Sequence, residues 1–145
     1  MKRTFKTLAL FFGLSSIAFG GLIEGHYSSN EGYFTDPEIR AWASDYTLLT
    51  SLTYNSRLRI PVSYHLVARG FSGEYERYRA TGTMLLEYTS GMVCPYALDA
   101  EILAKGTQFF VRSRQQANIC ESNCVACQPA NYVWVEHVAP YELIQ

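Results

Sequence analysis

The sequence predicts a mostly β protein: a small antiparallel meander of seven or eight strands, curled into a barrel or barrel-like sandwich, with one short helix. Three observations lead there. Oily and polar side chains alternate over long stretches, as in Leu58, Ile60, Val62, Tyr64, Leu66 and Ala68, the period of a strand with one buried face. Such stretches are separated by two-residue breaks, Asn55-Ser56 and Lys105-Gly106, of the length that joins antiparallel neighbours. Eleven tyrosines and eight phenylalanines suit a pleated, half-buried surface.

Residues 1–20 are set apart from this pattern. Lys2, Arg3 and Lys6 form a basic head, an apolar run follows from Leu8 to Ile17, and Ala18-Phe19-Gly20 offers small residues for cleavage. That order predicts a secretory signal peptide, too short for a comfortable span of roughly 20 apolar residues. Residues 21–145 are then expected as a single domain, exported to a periplasmic or extracellular space. Losing three of twelve basic residues leaves nine against thirteen acidic ones, a charge of about −4. That mild balance argues against nucleic acid as a partner. Membrane association is not required.

Leu22 to Ser28 predicts the first strand. Asp36 as a cap with Pro37 behind it, followed by Ile39, Trp42, Ala43 and Tyr46 on one face, predicts the short helix. Ile39, Ala41 and Ala43 also alternate, so a strand competes there. Tyr46 to Tyr54 and Arg57 to Arg69 follow as a hairpin, with Pro61 marking a bulge or a sheet edge because it cannot donate to a ladder. After Gly70-Phe71-Ser72-Gly73 a long strand places Tyr78, Ala80, Gly82, Met84, Leu86 and Tyr88 on one side, with Gly82 permitting a bend.

Leu98 to Ala104 and Thr107 to Arg114 predict a hairpin about Lys105-Gly106, with Ile102 opposite Phe109 and Asp99 opposite Arg112. Asn131 to Val138 and Tyr141 to Ile144 close the chain as strands.

Four cysteines, Cys94, Cys120, Cys124 and Cys127, are an even count in an oxidising compartment and predict two disulfides. Consecutive antiparallel strands bring the Cys94 loop and the triple-cysteine loop to one end of the sheet. Three connectivities are open, and Cys94–Cys120 with Cys124–Cys127 is favoured because Cys120 lies nearest the outgoing strand. No metal site and no cofactor is expected: His26, His65 and His137 are scattered, without H-x-H or H-x3-H spacing. No serine sits in a nucleophile elbow and no glycine-rich loop precedes a helix. The pattern points to binding rather than catalysis.

Gly25-His26-Tyr27 on the first strand, preceded by the leader and followed by a meander that ends in a C-terminal strand, resembles a lipocalin-type barrel. The family's usual first-strand motif is G-x-W, and Tyr27 stands at the tryptophan position. The resemblance implies a carrier of a small apolar or amphipathic ligand. The cavity candidates are Tyr64, Leu66, Tyr78, Met84, Leu86, Ile102, Phe109 and Trp134. In the competing expectation those residues fill a core, and the stapled Cys120–Cys127 loop contacts a protein partner, as in an inhibitor or envelope assembly factor. Three R-x-R pairs, Arg57/Arg59, Arg77/Arg79 and Arg112/Arg114, form a further candidate surface for anions. Carboxylates on neighbouring strands are the alternative partners of these arginines.

Overall fold

The computed structural model describes residues 21–30, 32–54, 58–87, 90–114, 119–120, 125–126 and 134–145. Strands β1 (Gly25–Ser28), β2 (Thr35–Trp42), β3 (Asp45–Tyr54), β4 (Leu58–Ser72), β5 (Tyr75–Glu87), β6 (Val93–Lys105) and β7 (Gln108–Arg114) follow one another as a meander. Among the described residues two short strands, β8 (Ile119–Cys120) and β9 (Val125–Ala126), pair with each other. Strand β10 (Trp134–Leu143) runs beside β7 and closes onto β1 through Tyr27↔Leu143 and Ser28↔Glu142. The result is a closed antiparallel barrel of eight strands. Closure removes every sheet edge over the paired rows.

Alternation builds the interior. Val62, Tyr64 and Leu66 on β4, Tyr78, Ala80, Met84 and Leu86 on β5, and Leu98, Ala100 and Ile102 on β6 all point inward and are buried. The opposite faces carry charge in mid-strand: Arg79 pairs with Asp99 at 2.8 Å and Arg112 with Glu101 at 3.5 Å. A lipid-facing barrel needs the reverse, an apolar wall outside and polar groups within.

One end of the barrel is solid. Phe109 and Tyr141 stack with centroids 4.9 Å apart and ring planes 8° apart, and Tyr27 tilts against Phe109 at 4.8 Å. Residues 21–24 run across this end. The Leu22 amide donates to Tyr78 Oη at 3.2 Å, the Tyr27 hydroxyl donates to the Ile23 carbonyl at 2.6 Å, and Glu24 Oε1 accepts from the Ala41 amide at 2.7 Å. Tyr27 is therefore a buried floor residue.

The expected helix is absent. Thr35–Trp42 is strand β2, paired with β1 and β3. An eight-residue helix is marginal in water, whereas a slot between two strands satisfies both sides of the backbone. Asp36 has a φ of 47° at an irregularity between Thr35 and Glu38. The residue read as a helix cap thus sits at a strand bulge, where Pro37 is tolerated.

The β6–β7 register also differs from expectation. Ile102 faces Val111 and Glu101 faces Arg112, and Gly106-Thr107 is the turn, with Gly106 at φ 59°. Keeping Lys105 in the ladder moves each partner by two places, which preserves the oily face; a one-place slip would have reversed it. Asp99 consequently pairs with Arg79 and with Arg114, the latter at 3.7 Å, and Arg112 belongs to Glu101. The C-terminal strands are one strand, β10, with an irregularity between His137 and Tyr141.

The far half of the wall is looser. The β4–β5 ladder stops at Tyr64↔Gly82 and the β6–β7 ladder at Ala100↔Ser113, while β5 and β6 stay paired as far as Glu87↔Val93. Thr83–Glu87 and Val93–Ala97 thus form a two-stranded flap. Pro61 lies in the part of β4 that has no β5 partner, so its missing N–H costs no ladder bond on that side. The expected leader at residues 1–20, the expected Asn55-Ser56 turn, Arg57, Tyr88, Cys124 and Cys127 lie outside the described residues.

Candidate ligand-binding cavity

The open end of the barrel contains a cavity of about 350 Å³. Leu52 and Thr53 from β3, Met84 from β5, Tyr96, Leu98 and Asp99 from β6, Ser113 and Arg114 from β7, Val135 from β10 and Gly32-Tyr33 from the β1–β2 connection line it. Phe34, the next residue of that connection, dips into the barrel beneath Tyr33. Its amide donates to Tyr141 Oη at 2.9 Å, and its ring meets Tyr64 edge-on at 5.5 Å. Phe34 therefore separates the cavity from the solid aromatic end.

The cavity is mostly apolar with a few polar groups on one side. Ser113 Oγ and His137 Nε2 share a hydrogen bond of 2.9 Å, and the imidazole stacks on the Tyr33 ring at 4.2 Å. Burial raises the Tyr33 phenol above its ordinary pKa, partly offset by the hydroxyls of Ser113 and Tyr64 beside it. Burial also raises Tyr64, with Tyr33 adding to the effect. Both are neutral hydroxyls at neutral pH.

The candidate residues divide between regions. Met84 lines the cavity; Tyr64 lies beside Tyr33; Leu86 is buried on the flap, in register with Cys94. Leu66, Tyr78, Ile102 and Phe109 are inward-facing and packed in the core. Trp134 faces outward. It is registered with Arg114 on the face opposite Ser113, and the guanidinium carbons of Arg112 and Arg114 lie 5.5 and 5.9 Å from its ring centroid. Ser113, His137 and Tyr33 were missed as site residues. The available signal was a serine on the oily face of β7, a polar group that needs a partner indoors.

The described arginines of these pairs fall in two places. Arg77 and Arg79 border a surface groove of about 240 Å³ with Arg69, Glu101 and Trp134. Arg79, Arg112 and Arg114 interleave there with Asp99, Glu101 and Glu136, the cross-strand balance described above. Arg59 lies elsewhere, in a shallow hollow with Asp36 and Glu38.

Cys94 is fully buried on the flap's inner face and is not a free thiol. β6 begins and β7 ends at the same end of the barrel. The side chain of Cys120, like the whole of Cys124 and Cys127, lies outside the described residues, and so does the connectivity. Among the described residues no cluster of three metal-ligating side chains occurs. Comparison of the chain with known protein families, with curated proteins and with solved structures finds no match.

Proposed function

We propose that this is an exported, non-enzymatic carrier of a small apolar or amphipathic molecule, held at the open end of the barrel. The observation that carries the reading is the cavity of about 350 Å³ above the aromatic core. It falls at the small end of ligand sites, roughly 300–1,000 Å³, and has their composition of apolar walls with a few placed polar groups. A 150 Å³ apolar cavity accommodates benzene, so this one suits a compound of about two rings. The solid lower half argues against a long lipid chain. A disulfide from Cys94 to the triple-cysteine segment would hold the flap against the open end. Closing a loop of roughly 26 to 33 residues, such a bond contributes about 3–4 kcal/mol.

Native mass spectrometry of protein purified from its own host tests the carrier reading. A co-purifying small mass is expected. A bare chain, with no thermal shift across a panel of one- and two-ring compounds, refutes it. A second reading, a protein-interaction module in the same compartment, is favoured by the exposed Leu85, Met92 and Val93 on and beside the flap. A bare chain that co-purifies with a stoichiometric protein would decide for it.

A further inference from the structure

Four polar side chains follow one another at the inner end of the cavity, Tyr33 and Ser113 lining it, with Tyr64 and His137 beside them. His137 and Ser113 satisfy each other at 2.9 Å, and the Tyr33 hydroxyl lies under the influence of both Ser113 and Tyr64. At the end of this series Tyr64 is fully buried, and among the described residues its hydroxyl, beside that of Tyr33, has no hydrogen-bond partner of proper length and angle. Native interiors rarely leave such a group unmatched, and an unmatched one calls for an explanation. Tyr33 offers one: its hydroxyl lies beside that of Tyr64 and the residue lines the cavity, so Tyr64 sits one side chain away from the empty space.

The charges nearby are committed elsewhere. Asp99 and Arg114 reach the cavity's border, but they pair with each other at 3.7 Å, and Asp99 also holds Arg79. Apart from that mutually neutralised pair, the polar side chains of the lining are the hydroxyls of Tyr33, Thr53, Tyr96 and Ser113, each able to donate and to accept. Desolvation holds the tyrosines protonated, and the same desolvation disfavours a ligand that brings its own charge.

From this arrangement we infer that the carrier's ligand is a neutral ring compound bearing one hydroxyl or carbonyl oxygen. The oxygen meets the Tyr64–Tyr33–Ser113 end, and the ring body packs on Leu52, Met84 and Leu98. The inference rests on the carrier reading and specifies what is carried.

Three fluorescent probes of one size separate the possibilities: naphthalene, 2-naphthol and 2-naphthoate, titrated into the full disulfide-intact protein and into Tyr64→Phe and Ser113→Ala. The parent protein is expected to bind 2-naphthol about three- to tenfold more tightly than naphthalene, the value of one well-placed hydrogen bond. Tyr64→Phe removes that preference and leaves naphthalene's affinity unchanged, and Ser113→Ala reduces it. Circular dichroism confirms that each variant is folded, and either variant alone keeps the test open. Equal binding of the two neutral probes overturns the inference and leaves the carrier standing. Tightest binding of 2-naphthoate overturns the neutral class. A preference that survives both substitutions overturns the assignment to these hydroxyls. Failure of all three probes to bind removes the carrier reading itself.

Discussion

Gly82→Ala tests the packing that makes the flap. A Cβ built on Gly82 would lie 2.4 Å from the Ser63 carbonyl oxygen. Carbon and oxygen approach no closer than about 3.3 Å, so the strands would have to part by roughly 1 Å. The obstacle is backbone, and it is not free to retreat. Ser63 is in register with Leu49, and the next residue, Tyr64, with Leu48 and Gly82, its ring buried against Phe34. Overpacking of this kind costs about 1–3 kcal/mol, and removing a glycine's flexibility from the unfolded chain returns about 0.4–1 kcal/mol. The expected net loss is about 1–2 kcal/mol, or a fall in Tm of about 3–8 °C for a domain of this size. Gly32→Ala is the matched control, because nothing lies within 4 Å of its Cβ. Urea unfolding followed by circular dichroism and tryptophan fluorescence gives both values. The reasoning fails if Gly82→Ala is as stable as the parent, or if Gly32→Ala loses as much.

Other perturbations probe the core, the outer wall and the crosslink. In an alkaline titration read at 295 nm, exposed tyrosines should ionise near their ordinary value of about 10. Burial pushes Tyr27 up to about 12 and raises Tyr33, Tyr64 and Tyr78 as well. The folded state keeps protons that the unfolded chain gives up, so stability is undiminished below pH 10 and falls as pH climbs toward 12. Late, cooperative ionisation coincident with unfolding is expected, and smooth ionisation of every tyrosine near pH 10 in a folded protein contradicts the buried assignments. Asp99→Asn keeps the shape but uncouples Arg79 and Arg114. It should cost about 0.5–1.5 kcal/mol at low salt and less at high salt, and a salt-independent loss would point to packing instead. If the proposed disulfide to Cys94 is present, reduction of the protein should lower its stability by about 3–4 kcal/mol. Four reactive thiols before reduction, or an unchanged Tm after it, would remove the crosslink from the account.

The alternation of β4, β5 and β6 was legible residue by residue, because a strand buried on one face must repeat every second position. Gly106 and the oily face of Ala100, Ile102, Phe109 and Val111 were legible on the same grounds. Asp36-Pro37 misled, since cap-like residues serve a helix start and a strand bulge equally well, and the choice depends on which backbone partners are nearby. The order of charges was clear, but their pairing was not: a two-place change of register exchanged Arg112 for Arg114 beside Asp99 without altering the pattern that one strand shows. Ser113 and His137 were visible as types and invisible as a pair, being 24 residues apart.

Local alternation and turn chemistry in the chain itself therefore determine a one-sided antiparallel meander with an aromatic interior, since both act within a few residues. Closure, strand register and the depth to which the aromatics fill the barrel come from contacts between strands far apart in sequence. Those contacts alone decide that Phe34 and Tyr141 plug one end, that Trp134 lies outside, and that space remains above Tyr33. A cavity is what packing leaves unfilled, and that remainder exists only once every strand is in place.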